Sequence, residues 1–138
     1  MISTKGRYSV RIMLDLAEHR GGFTPMKDVA ARQSISLKYI ERLMPALRLA
    51  GLVDSVHGIG GGYRLNREPE KYTLWEILDA AEGSLAPVAC LQAGVPECAR
   101  AAQCRTLPVW AGFHRLTEEY FSNVTLADLM EDSSADMV

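Results

Sequence analysis

The chain has 138 residues, 48% of them hydrophobic and 23% charged, enough apolar material for one ordinary domain with at most a small appendage. No stretch nears the roughly 18 apolar residues of a membrane span, and Met1-Ile2-Ser3-Thr4-Lys5 leads into an amphipathic pattern without the apolar run of a secretory leader, so a cytoplasmic protein with no membrane partner is expected. The net charge of −2 conceals an asymmetry: residues 1–71 hold 12 Lys and Arg against 7 Asp and Glu, a balance of +5, while residues 72–138 hold 3 against 10, a balance of −7, so the first half suits a polyanion and the second does not.

A first helix is expected over residues 4–19, with Val10, Met13, Leu14 and Ala17 at i, i+3, i+4, i+7 as its apolar face and Gly21-Gly22 as its stop. A second starts at Thr24 as N-cap with Pro25 at the first helical position, turns Met26, Val29 and Ala30 inward and stops near Gln33. Ser36 then caps a third, in which Ile40, Leu43, Met44 and Leu47 repeat at helical spacing while Lys38, Tyr39, Glu41, Arg42 and Arg48 face outward. Two short helices across a tight turn, the second basic and aromatic outside, form the helix-turn-helix pattern. Pro45 removes a backbone donor inside the third helix, so a bend is expected there, with Gly51 as the stop.

Leu52-Val53-Asp54-Ser55-Val56-His57 and Tyr63-Arg64-Leu65 flank Gly58-Ile59-Gly60-Gly61-Gly62, a β-hairpin around a glycine-rich turn. After a helix-turn-helix it reads as a wing, whose glycines let backbone approach a phosphate or a narrow groove. A nucleotide-binding loop is the rival reading, but no Gly-Lys-Ser/Thr ends the loop and no helix opens from it. Thr73-Leu74-Trp75-Glu76 is a capping box opening a fourth helix. Periodicity then disappears over residues 83–106, which contain all three cysteines, Cys90, Cys98 and Cys104. Three thiols within fifteen residues of an otherwise cysteine-free chain look like a ligand set, and an odd number in a reducing cytosol argues against a disulfide framework. Zinc on three thiolates and a water is one candidate. A fifth helix begins near Leu107-Pro108, with Val109, Phe113, Leu116 and Tyr120 at the spacing of a coiled-coil seam. It either packs on its own domain or pairs two copies, and the two half-sites that a winged helix needs for specificity favour pairing. A last short helix, Thr125-Leu126-Ala127-Asp128-Leu129-Met130, precedes a polar tail expected to fray.

The fold class expected is mostly α with a small β-hairpin: a winged helix-turn-helix domain at 1–83, a cysteine-bearing loop at 84–106, and a dimerisation helix with tail at 107–138. The three histidines, His19, His57 and His114, form no His-Glu-x-x-His, and the chain has no Gly-x-Ser-x-Gly and no Cys-x-x-Cys, so an enzyme is not expected.

Thr4-Lys5-Gly6-Arg7-Tyr8 with Met13-Leu14-Asp15, Ile35-Ser36-Leu37-Lys38-Tyr39-Ile40-Glu41, the run from Gly51 to Tyr63, and Asn123-Val124-Thr125-Leu126-Ala127-Asp128-Leu129 closely resemble the IscR/NsrR/CymR family of bacterial regulators, over nearly the whole chain. The resemblance implies a homodimeric winged-helix transcription factor whose long helix after the cysteines forms the dimer interface, and a repressor bound to a double-stranded DNA operator is expected. It places Lys38, Tyr39 and Arg42, behind Ser36, in the recognition helix, and Thr4 and Lys5 where the first helix meets DNA backbone. It places His57, Gly58 and Gly60 at the wing, where the family often has an arginine. Arg42 suits a fork onto guanine, and His57 gives a weaker contact at neutral pH. In the iron–sulfur branch three cysteines of this loop hold a cluster, 2Fe–2S or 4Fe–4S, and Cys90, Cys98 and Cys104 correspond to them. Seven residues separate the first pair here, where five is commonest. IscR itself adds a histidine where this chain has Leu107, and the nitric-oxide sensors use a partner-subunit aspartate where it has Tyr8. Glu97, His114 or a small exogenous ligand are further candidates for the fourth position. The alternative within the family is a cluster-free regulator like CymR that senses cysteine supply through a partner enzyme.

Overall fold

Six α-helices and one antiparallel hairpin make up the computed structural model, which describes residues 1–131; the polar tail beyond the last helix lies outside the described residues. The mostly helical class with a single hairpin stands.

Helix α1 (Thr4–Glu18) starts on the N-cap Ser3, whose side chain accepts the Lys5 N–H. Its inward face is Ile12, Met13, Leu16 and Ala17, with Asp15 and Ser9 equally buried. The expected face is therefore rotated: Val10 and Leu14 are half-buried at its margin, because α1 is packed from several sides by later elements, α4 most extensively. Helix α2 (Met26–Gln33) corrects the expected start. Pro25 is the N-cap, without a side-chain hydrogen bond, and Thr24 lies in extended backbone. Its N–H donates to the Tyr63 carbonyl at 2.8 Å and its carbonyl accepts from the Tyr63 N–H at 2.9 Å, which adds a one-residue bridge to the hairpin. A long-range pair of backbone bonds outweighs the local capping preference of threonine.

The turn into the next helix is made by Ser34, held in the left-handed region at φ 56°, and Ile35 is buried beneath it. Helix α3 (Leu37–Leu49) opens on Ser36, whose Oγ accepts the Tyr39 N–H at 3.1 Å. Ile40, Leu43, Met44 and Leu47 are all buried. The helix runs through Pro45, which is exposed, so the missing donor falls on the solvent side.

Strands β1 (Val53–Val56) and β2 (Gly62–Leu65) pair with Val53 opposite Leu65 and Val56 opposite Gly62. Val53 and Leu65 are buried at the base, while Val56 and everything to Gly60 are exposed at the tip. Gly62, at φ 150°, lies against the Thr24 carbonyl, leaving no room for a Cβ. Tyr72 ties the hairpin base down: its hydroxyl donates to the Leu52 carbonyl at 2.7 Å and accepts the Asn66 N–H at 2.9 Å, so a fully buried phenol is satisfied.

Helix α4 (Leu74–Glu82) starts on Thr73, which accepts the Glu76 N–H. The reciprocal half of the capping box is absent: the Glu76 carboxylate accepts instead from Arg67 at 2.7 Å. Gly83 closes the helix in the left-handed region at φ 82°. The segment from 84 to 106 has only two 3-10 turns, Ala89–Leu91 and Ala101–Gln103. Helix α5 (Leu107–Ser122) has no buried residue, whereas α6 (Leu126–Glu131) returns to pack on α1 and inserts Leu126 into the core at 0% exposure.

Candidate functional site

The recognition elements are built from capped, well-packed backbone. Lys38 and Arg42 stand one turn apart on the exposed side of α3, backed by the fully buried Ile40 and Met44. Tyr39 is half-buried rather than free: its ring meets Tyr8 of α1 edge-on, 5.7 Å between centroids, and the Arg11 guanidinium lies 5.1 Å over the Tyr8 ring. Tyr39 is thus a packing contact between α1 and α3 as well as a candidate DNA contact. On α1, Lys5 is exposed and Thr4 half-buried, with the Thr4 hydroxyl accepting from Arg7 at 3.2 Å. His57, Gly58 and Gly60 lie exposed at the hairpin tip beside Ile59, whose side chain touches nothing.

Residues that the sequence reading did not single out hold this arrangement. Asp15, 1% exposed, accepts from Arg32 at 2.7 and 3.0 Å and from Gln33 at 2.9 Å, fastening the end of α2, and with it the turn, onto α1. Burial alone would push its carboxyl up, but the Arg32 and Gln33 hydrogen bonds and the Arg32 and His19 charges hold it below its ordinary value. The signal for it was present: an aspartate inside an apolar helical face needs a partner. Arg11 adds bonds to the Gln33 side chain and carbonyl. Arg64 on β2 lies 4.4 Å over the Phe23 ring and supplies the hairpin flank with a cation.

The cysteines lie elsewhere, at the far side of Gly83. Cys90 and Cys98 are exposed and Cys104 half-buried, and all three line one cleft of about 470 Å³ together with Arg100, Arg105 and Leu107. The Cys98 sulfur accepts the Arg100 N–H at 3.4 Å. Cys104 sits just before α5: the Thr106 hydroxyl at 3.5 Å, then the Thr106 and Leu107 N–H groups and the Arg100 charge, hold its thiol below the ordinary value. That is donor chemistry suited to a thiolate ligand. Among the described residues, however, no three His, Cys, Asp or Glu side chains converge on one metal position: the thiols share a cleft without closing on a point. None of the candidates for a fourth ligand lines it. His114 packs against Trp75 at 5.6 Å, and Tyr8 is engaged by Tyr39 and Arg11.

Beyond the cleft, α5 exposes Val109, Trp110, Phe113, Leu116 and Tyr120, each more than 40% accessible. A contiguous apolar stripe of that kind marks an interaction surface. No described helix is long and apolar enough to cross a membrane.

The chain matches the Rrf2 family, described as an iron-dependent transcriptional regulator, over residues 2–132. It is 37% identical over 133 residues to the HTH-type transcriptional regulator IscR of Vibrio campbellii, covering 96% of this chain and 78% of that one. Among solved structures it resembles CymR, the global cysteine regulator of B. subtilis, with a TM-score of 0.73, 38% identity and coverage of 94% and 95%. It also resembles T. potens IscR, with a TM-score of 0.73, 36% identity and coverage of 100% and 92%.

Proposed function

This chain belongs to the Rrf2 family of transcriptional regulators, and within it we propose a cytoplasmic, homodimeric, DNA-binding repressor whose operator affinity is set by an iron–sulfur cluster on Cys90, Cys98 and Cys104. The observation that carries this reading is the shared cleft: three thiols from a long non-periodic loop open together at the start of α5, beside a helix whose apolar stripe stays exposed among the described residues. When bound, the cluster supplies a redox- and iron-sensitive link among loop segments otherwise joined only by 3-10 turns.

The chain's own residues do the rest. Lys38 and Arg42 present cations to the major groove, Arg42 with the fork that suits guanine O6 and N7. Ser36 fixes the start of α3, and Lys5 anchors phosphate beside Thr4. Gly58 and Gly60 keep the wing tip slim enough to approach backbone, with His57 as its polar end. The α5 stripe, pairing with a second copy, sets the separation of two recognition helices and hence the half-site spacing. Purification without oxygen, followed by a visible spectrum and assays of iron and acid-labile sulfide, tests the cluster. A coloured protein with both is expected, and a colourless one after reconstitution overturns this part of the reading.

A second reading is favoured by one observation. The cleft offers three donors and Leu107 where a fourth is expected, and the chain is as similar to CymR as to IscR. In that reading the protein is a cluster-free regulator of sulfur metabolism acting with a partner enzyme. Complete loss of operator response in a Cys90→Ala, Cys98→Ala, Cys104→Ala variant counts against it.

A further inference from the structure

One side chain hydrogen-bonds the start of α1 to the end of α4, across their packed faces. The Glu82 carboxylate accepts the Ser3 N–H at 2.6 Å, the Ser3 hydroxyl at 2.8 and 2.9 Å, and the Gly6 N–H at 3.0 Å. The Ser3 and Gly6 N–H groups are backbone donors that a helix start leaves unpaired, and a carboxylate is their favoured partner. Gly6 is the counterpart of this contact: a Cβ there would lie 2.5 Å from Glu82 Oε2 and 3.0 Å from Leu78. A glycine inside a helix is otherwise unfavourable relative to alanine, so its presence at a buried position of α1 is accounted for by the carboxylate that fills the space. Helix capping alone does not require Glu82, since Ser3 already caps α1 with its own side chain.

The position of Glu82 in the chain gives the contact a second meaning. It is the last residue of α4, and Gly83 after it opens the segment that carries the cysteines. On the other side, Gly6 is two residues from Tyr8, whose ring meets Tyr39 in the recognition helix. A path therefore runs from the cysteine-bearing loop along the chain to Glu82, across its hydrogen bonds to Ser3 and Gly6, along α1 to Tyr8, and across the ring contact to Tyr39.

We propose that Glu82 is a positioning residue that couples the state of the cysteine-bearing loop to the start of α1 and, through Tyr8, to the recognition helix. It touches no DNA. It sets where Thr4, Lys5 and Tyr39 stand, and a loop rearrangement that pulls on Gly83 loosens its hold. The link to operator binding rests on the function proposed above, whereas the mechanical coupling does not.

Amide hydrogen exchange on the full chain, before and after blocking the three thiols with iodoacetamide, tests it. In the wild type, blocking should speed exchange at residues 5–9 and 40–43 by about tenfold, within the range of coupling between sites. In Glu82→Gln, which keeps the volume and loses the charge, both segments should exchange fast already, and blocking should add nothing. Gly6→Ala displaces the carboxylate from the other side and should behave alike. Because alanine is the better helix former, its effect cannot be assigned to a weaker helix. No response in the wild type, or the same tenfold response in Glu82→Gln, overturns the proposal. The affinity of each form for a duplex enriched from random-sequence DNA on the wild-type protein separates the two layers. If the exchange response is present while the cluster leaves DNA affinity unchanged, the coupling stands and the cluster reading falls.

Discussion

The segment before residue 86 and the segment from 86 to 125 are made on different terms. In the first, every helix has an inward face closed by another element, and even its buried carboxylate, Asp15, has its partners supplied. In the second, forty residues pass without one buried side chain, and the apolar positions of α5 look outward. The first closes on itself; the second packs on α4 along one side and leaves the other open. Burial of apolar surface is the main source of folding free energy, so α5, which packs on α4 along one side with half-buried residues only, draws less from its own chain than the helices before residue 86. The proposed second copy along α5 and the proposed cluster in the cleft are the two things that would complete it.

Several changes would break this contrast or sharpen it. The largest effect is expected from Leu126→Ala, which empties a fully enclosed site and should cost about 3 kcal/mol in urea unfolding. Leu116→Ala on α5 should leave protomer stability within about 0.5 kcal/mol, and equal losses would erase the distinction. Next, Phe113→Asp with Leu116→Asp should convert a dimer to monomer in sedimentation velocity while leaving the far-UV circular dichroism of the protomer in place. A protein that still sediments as a dimer would remove α5 from the interface. Arg42→Ala should cost about 1–3 kcal/mol of operator binding, and Lys38→Ala should weaken binding to all sequences and lower the salt slope by about 1. His57→Ala should change affinity least.

The buried carboxylate also gives the first region a pH signature. The Asp15 value is lowered in the folded chain, so its contribution is complete above the unfolded aspartate value of about 3.9 and drains away as pH falls through the depressed folded value. Wild-type stability should therefore drop below about pH 4 more steeply than that of Asp15→Asn, which starts lower and stays flatter. Parallel acid curves would show that the Asp15–Arg32 pair contributes nothing net.

Local signals were readable where local chemistry decides. Ser36 and Thr73 announced their helices, the 40, 43, 44, 47 spacing named the buried face of α3, and the glycine run named the hairpin. What misled was chemistry completed at a distance. Thr24 looks like a cap until Tyr63 arrives to pair with it, and Glu76 looks like half of a capping box until Arg67 takes its carboxylate. Asp15, Glu82 and Gly6 each carry a signal (a charge in an apolar stripe, a glycine in a helix) that only the folded partner interprets. The candidate ligands were legible as a set, because three thiols in one loop need no long-range information. Their separation within the cleft and the surroundings of His114 and Tyr8 depend on packing and were not.

Leu126 also bears on how the protein is made. Among the described residues it is the one fully buried core side chain from beyond residue 85, and it closes over α1, which is synthesised long before it. A chain still being translated thus holds a recognition helix and a wing on an open core, and it completes that core only after the cysteine loop and α5 have emerged. Domains tend to fold as units from the N-terminus during synthesis. Here that order is deferred, so the helix-turn-helix surface should mature only in a chain that already carries the cysteine loop and α5.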